Sequence, residues 1–193
     1  MILLLSGACA RDPIDVACPD LAAGDLVVTE IRGVQPPEPG YGEWIELYNS
    51  STETVDLLGL RVHLTRLVDG TAAATILLHD GPVEAPPGAY LVLGAFPAGE
   101  EPAYVAHGYG DDFTDGLPNG AAVDLYSCGV LVDRMIYREL PAKGTWSFSG
   151  AVDPPDGGMN DDEDAWCVDQ TADADTETMG IRGTPGEANI PCE

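Results

Sequence analysis

The sequence predicts an all-β sandwich, and three observations predict it. Its 193 residues include 23 Gly and 16 Pro beside 45% hydrophobic residues, a composition that suits short strands joined by tight turns better than helices. The stretch from Asp25 to Ser50, DLVVTEIRGVQPPEPGYGEWIELYNS, reads as two strands across a proline-rich loop. Turn residues then recur at near-regular spacing along the chain and separate short apolar runs, the pattern of a sandwich.

Each element follows from local chemistry. Asp25 to Arg32 is β-branched and aliphatic. Glu43 to Tyr48 alternates, with Trp44, Glu46 and Tyr48 on one face and Ile45 and Leu47 on the other. The prolines of the PPEPG between them lack amide donors and resist helix formation, so the stretch makes a stiff surface loop. Asn49, Ser50 and Ser51 stop the second strand. Val55 to Leu64 reads as a turn and a third strand, with Leu60, Val62 and Leu64 inward and Arg61 and His63 outward. Asp69-Gly70 marks a turn, Thr75 to Leu78 a short strand, and EAPPG at Glu84 to Gly88 a turn before the apolar strand Ala89 to Leu93. Ala95 to Gly116 is loop-like, with a short strand at Ala103 to Ala106. Ala121 to Tyr126 and Val130 to Tyr137 form a hairpin around Ser127-Cys128-Gly129, where glycine supplies positive φ.

From Leu140 the character changes. Between Asp153 and Glu177 there are ten acidic residues and no Lys or Arg, so an irregular extension is expected, pinned to the sandwich by Trp166 and by the TPG turn at Thr184 to Gly186. The organisation expected is a signal segment at 1–9, a polar tether at 10–24, the core at 25–140 and the acidic extension, packed on that core, at 141–193.

Several of these pieces, taken together and in order, resemble the lamin tail domain. They are VVTEI, GEWIELYNSS, VDLLGLRV, PPGAYLVLG, LPNGAAVDLY, VDRMIY and GTPGEAN, the last at Gly183 to Asn189. The resemblance implies an immunoglobulin-like fold over about residues 25 to 190 and, from bacterial members of that family, an exported protein. It implies no activity, because folds host unrelated functions.

Charge narrows the partners. With 8 basic and 33 acidic residues the chain carries a net charge of −25, which repels phosphate backbones and decides against nucleic acid. Self-repulsion on that scale also favours a monomer.

Met1 to Ala8, MILLLSGA, ends in small residues just before Cys9 and resembles the end of a bacterial lipoprotein signal, which makes Cys9 the expected site of lipid attachment. The run is too short to span a bilayer. With Cys9 set aside, four cysteines remain, an even number in an exported protein, and they allow three pairings. The pairing favoured is Cys18 with Cys128, tying the tether to the last hairpin, and Cys167 with Cys192, closing the acidic extension.

Acidic residues invite a metal reading. Asp161, Asp162, Glu163 and Asp164 fit neither the EF-hand spacing nor a calcium β-roll repeat, so a solvated acidic face is expected and no metal or other cofactor. Glu30 and Glu46, on the opening strands, could converge as paired carboxylates; a role as hydrogen-bond acceptors at the sheet rim is favoured. Neither G-x-S-x-G nor H-E-x-x-H nor a phosphate-cradling loop occurs, and His63, His79 and His107 sit in no recognisable catalytic setting. The function expected is therefore a non-catalytic binding or structural module of the cell envelope, lipid-anchored, with a cell-surface protein or polysaccharide as partner. The alternatives are a metal-dependent extracellular hydrolase, or an accessory to one, and a calcium-dependent adhesion module.

Overall fold

The structure, a computed structural model, describes residues 17–35, 42–79, 81–110, 112–113, 115–171 and 181–193. Cys9, the signal segment at 1–9 and the first part of the tether lie outside the described residues.

Two sheets pack face to face. The larger is built from β1 (Leu26–Arg32), β2 (Trp44–Asn49), β7 (Tyr90–Gly94), β8 (Val105–Gly108), β11 (Thr145–Phe148) and β12 (Trp166–Asp169), in the order β12-β11-β1-β2-β7-β8. The smaller has β4 (Arg61–Arg66), β5 (Ala72–Leu77), β9 (Ala121–Ser127) and β10 (Val130–Tyr137), in the order β10-β9-β4-β5, and a two-stranded ribbon joins β3 (Val55–Asp56) to β6 (Glu84–Ala85). All pairings are antiparallel except β7 with β8. The fold is an all-β sandwich, and among the described residues the only helical element is the single 3-10 turn Glu163–Ala165.

Side-chain alternation sets the core. Ile45 and Leu47 of β2, Val62 and Leu64 of β4, and Val123 and Leu125 of β9 are fully buried between the sheets, where each such side chain contributes roughly 1.5–3 kcal/mol by leaving water. The opposite face of β2 is buried as well: Trp44 packs with Val92 and Val105 in a second cluster under Phe96 and Tyr104. A strand buried on both faces needs a cover on its outer side, and residues after 140 provide much of it. The sequence predicts that these residues are irregular. They instead add β11 and β12 to the large sheet, β11 directly beside β1 through Glu30↔Ser147 and Ile31↔Trp146. The alternation Thr145-Trp146-Ser147-Phe148 is a strand pattern only four residues long, set between Gly144 and Ser149-Gly150.

The β9–β10 hairpin is closed by Cys128 and Gly129 at φ 47° and 83°, the two positive-φ positions of a type I′ turn. Cys128 bonds to Cys18 with Cα atoms 5.6 Å apart, and Cys167 to Cys192 with Cα atoms 5.8 Å apart. The first bridge holds the incoming chain against the small sheet, helped by Ser127, whose Oγ donates to the carbonyl of Pro19. The second ties the C-terminal segment to β12.

The bridges span 110 and 25 residues. On the loop-entropy model, replacing Cys18 and Cys128 by Ser should cost about 4.8 kcal/mol of unfolding free energy, and replacing Cys167 and Cys192 about 3.5 kcal/mol. Urea unfolding of the two double variants measures both; the reverse order would show that the bridges act on the native state rather than on the unfolded chain.

Candidate functional site

Beneath the C-terminal segment the large sheet buries a pair of carboxylates. Glu30 of β1 and Glu46 of β2 lie opposite one another in the register, and both are 0% exposed. The sequence allowed this convergence, and the structure brings the two residues together on the outer face of the sheet, away from the main core.

Every partner of the pair is a donor. Glu30 accepts from the hydroxyls of Thr145 and Ser147, one strand over on β11, and from the backbone N–H of Thr184 at 3.3 Å. Glu46 accepts from Thr29 Oγ1 at 2.7 Å and from the N–H of Gly186 at 2.7 Å. The Thr184-Pro185-Gly186 turn thus sits on the two carboxylates and places one amide on each. Gly183 has φ 102°, and a Cβ there would lie 2.6 Å from Glu30 Oε1, so only glycine lets the backbone approach this closely.

Burial governs the electrostatics. Loss of water pushes the Glu30 carboxyl up to about 7, against the pull of Ser147, Thr145 and the Thr184 amide, with Asp169 adding repulsion. Glu46 is raised further by burial and by the charge of Glu30, and Glu187 adds to this. Protonation of either carboxyl relieves the repulsion between them. Asp169, itself buried, accepts from Thr171 N at 2.7 Å.

A second polar network anchors the same strand. The register slips between Val28 and Glu30, so Thr29 bulges out of the ladder with β2. Asn189 donates from Nδ2 to the carbonyls of Thr29 at 2.8 Å and Phe148 at 2.9 Å, and its Oδ1 accepts from Thr184 Oγ1 at 2.8 Å. On the other side Asn160 Nδ2 donates to Val28 O at 3.1 Å and to Asp133 Oδ2 at 2.8 Å, while Val28 N donates to that same carboxylate oxygen at 2.8 Å. Trp166 Nε1 in turn donates to the Asn160 carbonyl at 2.8 Å. Burial raises Asp133 to about 6.

The other residues singled out by sequence are dispersed. Asp161, Asp162, Glu163 and Asp164 are all exposed. Asp162 Oδ1 caps the short 3-10 turn by accepting from Asp164 N at 3.1 Å, and Glu163 accepts from Arg138 Nε at 3.0 Å. His63 lies against Tyr126 on the small sheet, and His79 Nε2 sits 3.2 Å from Asp112 Oδ1, with His107 edge-on to it. Among the described residues, no three His, Cys, Asp or Glu side chains are placed to hold a metal ion. Sequence reasoning missed Asn160, Asn189, Asp133 and Thr29, because a bulge leaves no pattern in a strand that is apolar around it. Asn189 did lie within the GTPGEAN stretch, the one signal available.

No family model matches this sequence, and no curated protein matches it.

The pH dependence has a defined sign. Glu30, Glu46 and Asp133 hold protons in the folded state that the unfolded chain releases from the ordinary values of 4.5 for Glu and 3.8 for Asp upward. Stability therefore falls as pH rises through about 6 for Asp133 and about 7 for Glu30, and Glu46, also raised, acts in the same direction. Thermal unfolding should show a higher midpoint at pH 5 than at pH 8. Glu46→Gln, which keeps a group able to accept from Gly186, should raise stability more at pH 8 than at pH 5, because it removes a buried carboxyl whose proton the unfolded chain gives up. A loss at both pH values would mean that the buried carboxylate is ionised and stabilising.

Asn189→Ala gives a second check. It leaves two buried carbonyls without a donor, at a cost of about 2–4 kcal/mol, read by chemical denaturation with the disulfides intact.

Proposed function

We propose that this chain is an exported, non-catalytic binding or structural module of the cell envelope, of the lamin tail type, held at the membrane by lipid on Cys9. The observation that carries the reading is the use made of the paired carboxylates. Acid–base or metal chemistry needs carboxylates that reach a substrate or an ion; Glu30 and Glu46 are fully buried and occupied by Thr29, Thr145, Ser147 and two amides of the C-terminal segment. Their work is to seat a covering segment on a sheet.

Two further features support it. Paired cysteines mark an oxidising compartment. The net charge of −25 suits a soluble domain exposed to an aqueous, crowded surface.

The test is made on protein expressed with a complete export leader. Thiols trapped in the intact cell should show two disulfides, and the protein should enter the detergent phase on phase separation, with Cys9→Ser moving it to the aqueous phase. Free Cys18, Cys128, Cys167 and Cys192 would overturn the export reading; equal partitioning of the two forms would overturn the lipid anchor.

A further inference from the structure

The chain has few cations, and the fold gathers half of them. Of 8 Lys and Arg residues, Arg61 and Arg66 bound β4, Arg134 lies on β10, and Arg138 directly follows it. These two strands are separated only by β9. Because Val62 and Leu64 face the core, Arg61 and His63 face out, as do Asp124 and Tyr126 of β9 and Arg134 and Ile136 of β10. Asp124 is the sole carboxylate at these outward strand positions, and Arg134 neutralises it through Nε to Oδ1 and Nη2 to Oδ2.

At one end of this face is a groove of about 490 Å³ lined by Arg66, Leu67, Val68, Pro118, Asn119, Gly120 and Arg138. Both of its charged residues are arginines, in a chain where acids outnumber bases about four to one. Its walls are fixed: Leu67 N donates to Gly120 O at 3.1 Å, Gly70 N to Arg66 O at 2.9 Å, and Tyr137 Oη to Pro118 O at 2.8 Å. Its apolar side chains reach solvent, Val68 at 87% and Leu67 at 41% exposed. Two carboxylates that interact with these arginines are weak competitors. Glu163 meets Arg138 in an exposed pair, and Asp69, near Arg66, is already bound by Thr71.

We propose that this face, from Arg61 and Arg134 to the groove between Arg66 and Arg138, docks an acidic protein segment that carries apolar side chains between its carboxylates. The inference deepens the binding-module reading and rests on it. Arginine, tyrosine and branched apolar side chains, with lysine absent and the one acid neutralised, form the composition of a protein interface core. Arginine forks take carboxylates in pairs, and Leu67, Val68 and Pro118 offer an aliphatic wall for an apolar side chain. Charge separates this partner from a polyanion. A nucleic acid or a polyuronate brings a charge with every unit against the −25 of the whole chain, whereas a segment with a few carboxylates feels mainly the arginines within a Debye length of about 8 Å.

The experiment titrates the full chain into a fluorescent peptide that alternates glutamate and leucine, read by anisotropy. Tetragalacturonate and a glutamine-for-glutamate peptide serve as comparison probes. Saturable binding of the acidic peptide is expected. It should weaken at least about tenfold in the double variant Arg66→Gln/Arg138→Gln, the order set by losing an arginine anchor. It should also weaken as salt rises from about 50 to about 500 mM. Both substitutions are at the surface, so retained unfolding midpoints confirm an intact fold. Arg134 is left alone because its loss would strand the buried Asp124. The docking face is overturned if the peptide does not bind, if the double variant binds equally, or if tetragalacturonate binds while the peptide is inert. Any of these with the Cys9-dependent membrane partition intact removes the docking face and leaves the envelope-module reading standing.

Discussion

The bulge at Thr29 is the constraint around which the rest of the sandwich is arranged. A strand at the centre of a sheet ordinarily satisfies its backbone on both sides with neighbouring strands. The register slip between Val28 and Glu30, with β11 joining β1 only from Glu30 onward, leaves the first half of β1 short of partners on one side. The side chains of Asp133, Asn160 and Asn189 supply them, on Val28 N, Val28 O and Thr29 O. These three residues come from β10, from the loop before the 3-10 turn and from the C-terminal segment. One local irregularity therefore requires three distant parts of the chain to be in place, and it explains why the segments after 140 are part of the fold and not an appendage to it.

Electrostatics pulls the other way. Two buried carboxylates facing one another across β1 and β2 are costly unless protonated or well bonded, and here they are both bonded and raised in pKa. Apolar residues at Glu30 and Glu46 would relieve that cost, but would leave the amides of Thr184 and Gly186, the Thr29 hydroxyl and one of the Thr145 and Ser147 hydroxyls without acceptors. The pair sacrifices stability for a defined seat: the turn fits in one position, and Gly183 enforces it.

Most strands were legible in the sequence because their signals are local. Alternation placed Ile45 and Leu47 on the face opposite Trp44, Glu46 and Tyr48, the Cys128-Gly129 turn placed the β9–β10 hairpin, and Pro and Gly marked the boundaries of β7. β11 and β12 were not legible, since a period-two pattern four residues long is too short to stand out, β12 lies among Asp and Glu residues, and the pairing of β11 with β1 across more than a hundred residues leaves no trace in either segment. The carboxylate pair was half legible. Glu30 and Glu46 could be placed on adjacent strands by pattern, but their donors Thr184 and Gly186 become neighbours only through tertiary packing.

The two disulfides attach to different layers. Cys18 is fastened to the hairpin of the small sheet through Cys128, and Cys192 to the edge of the large sheet through Cys167. A pulling load applied at residues 18 and 192 cannot peel off either flanking segment, because each is covalently pinned where it meets its sheet. Tension between those points instead enters the sandwich at the β9–β10 hairpin of one sheet and at β12 of the other, and crosses the core between them. The cross-links therefore shorten the stretch of chain that a load can extend before it meets the folded layers.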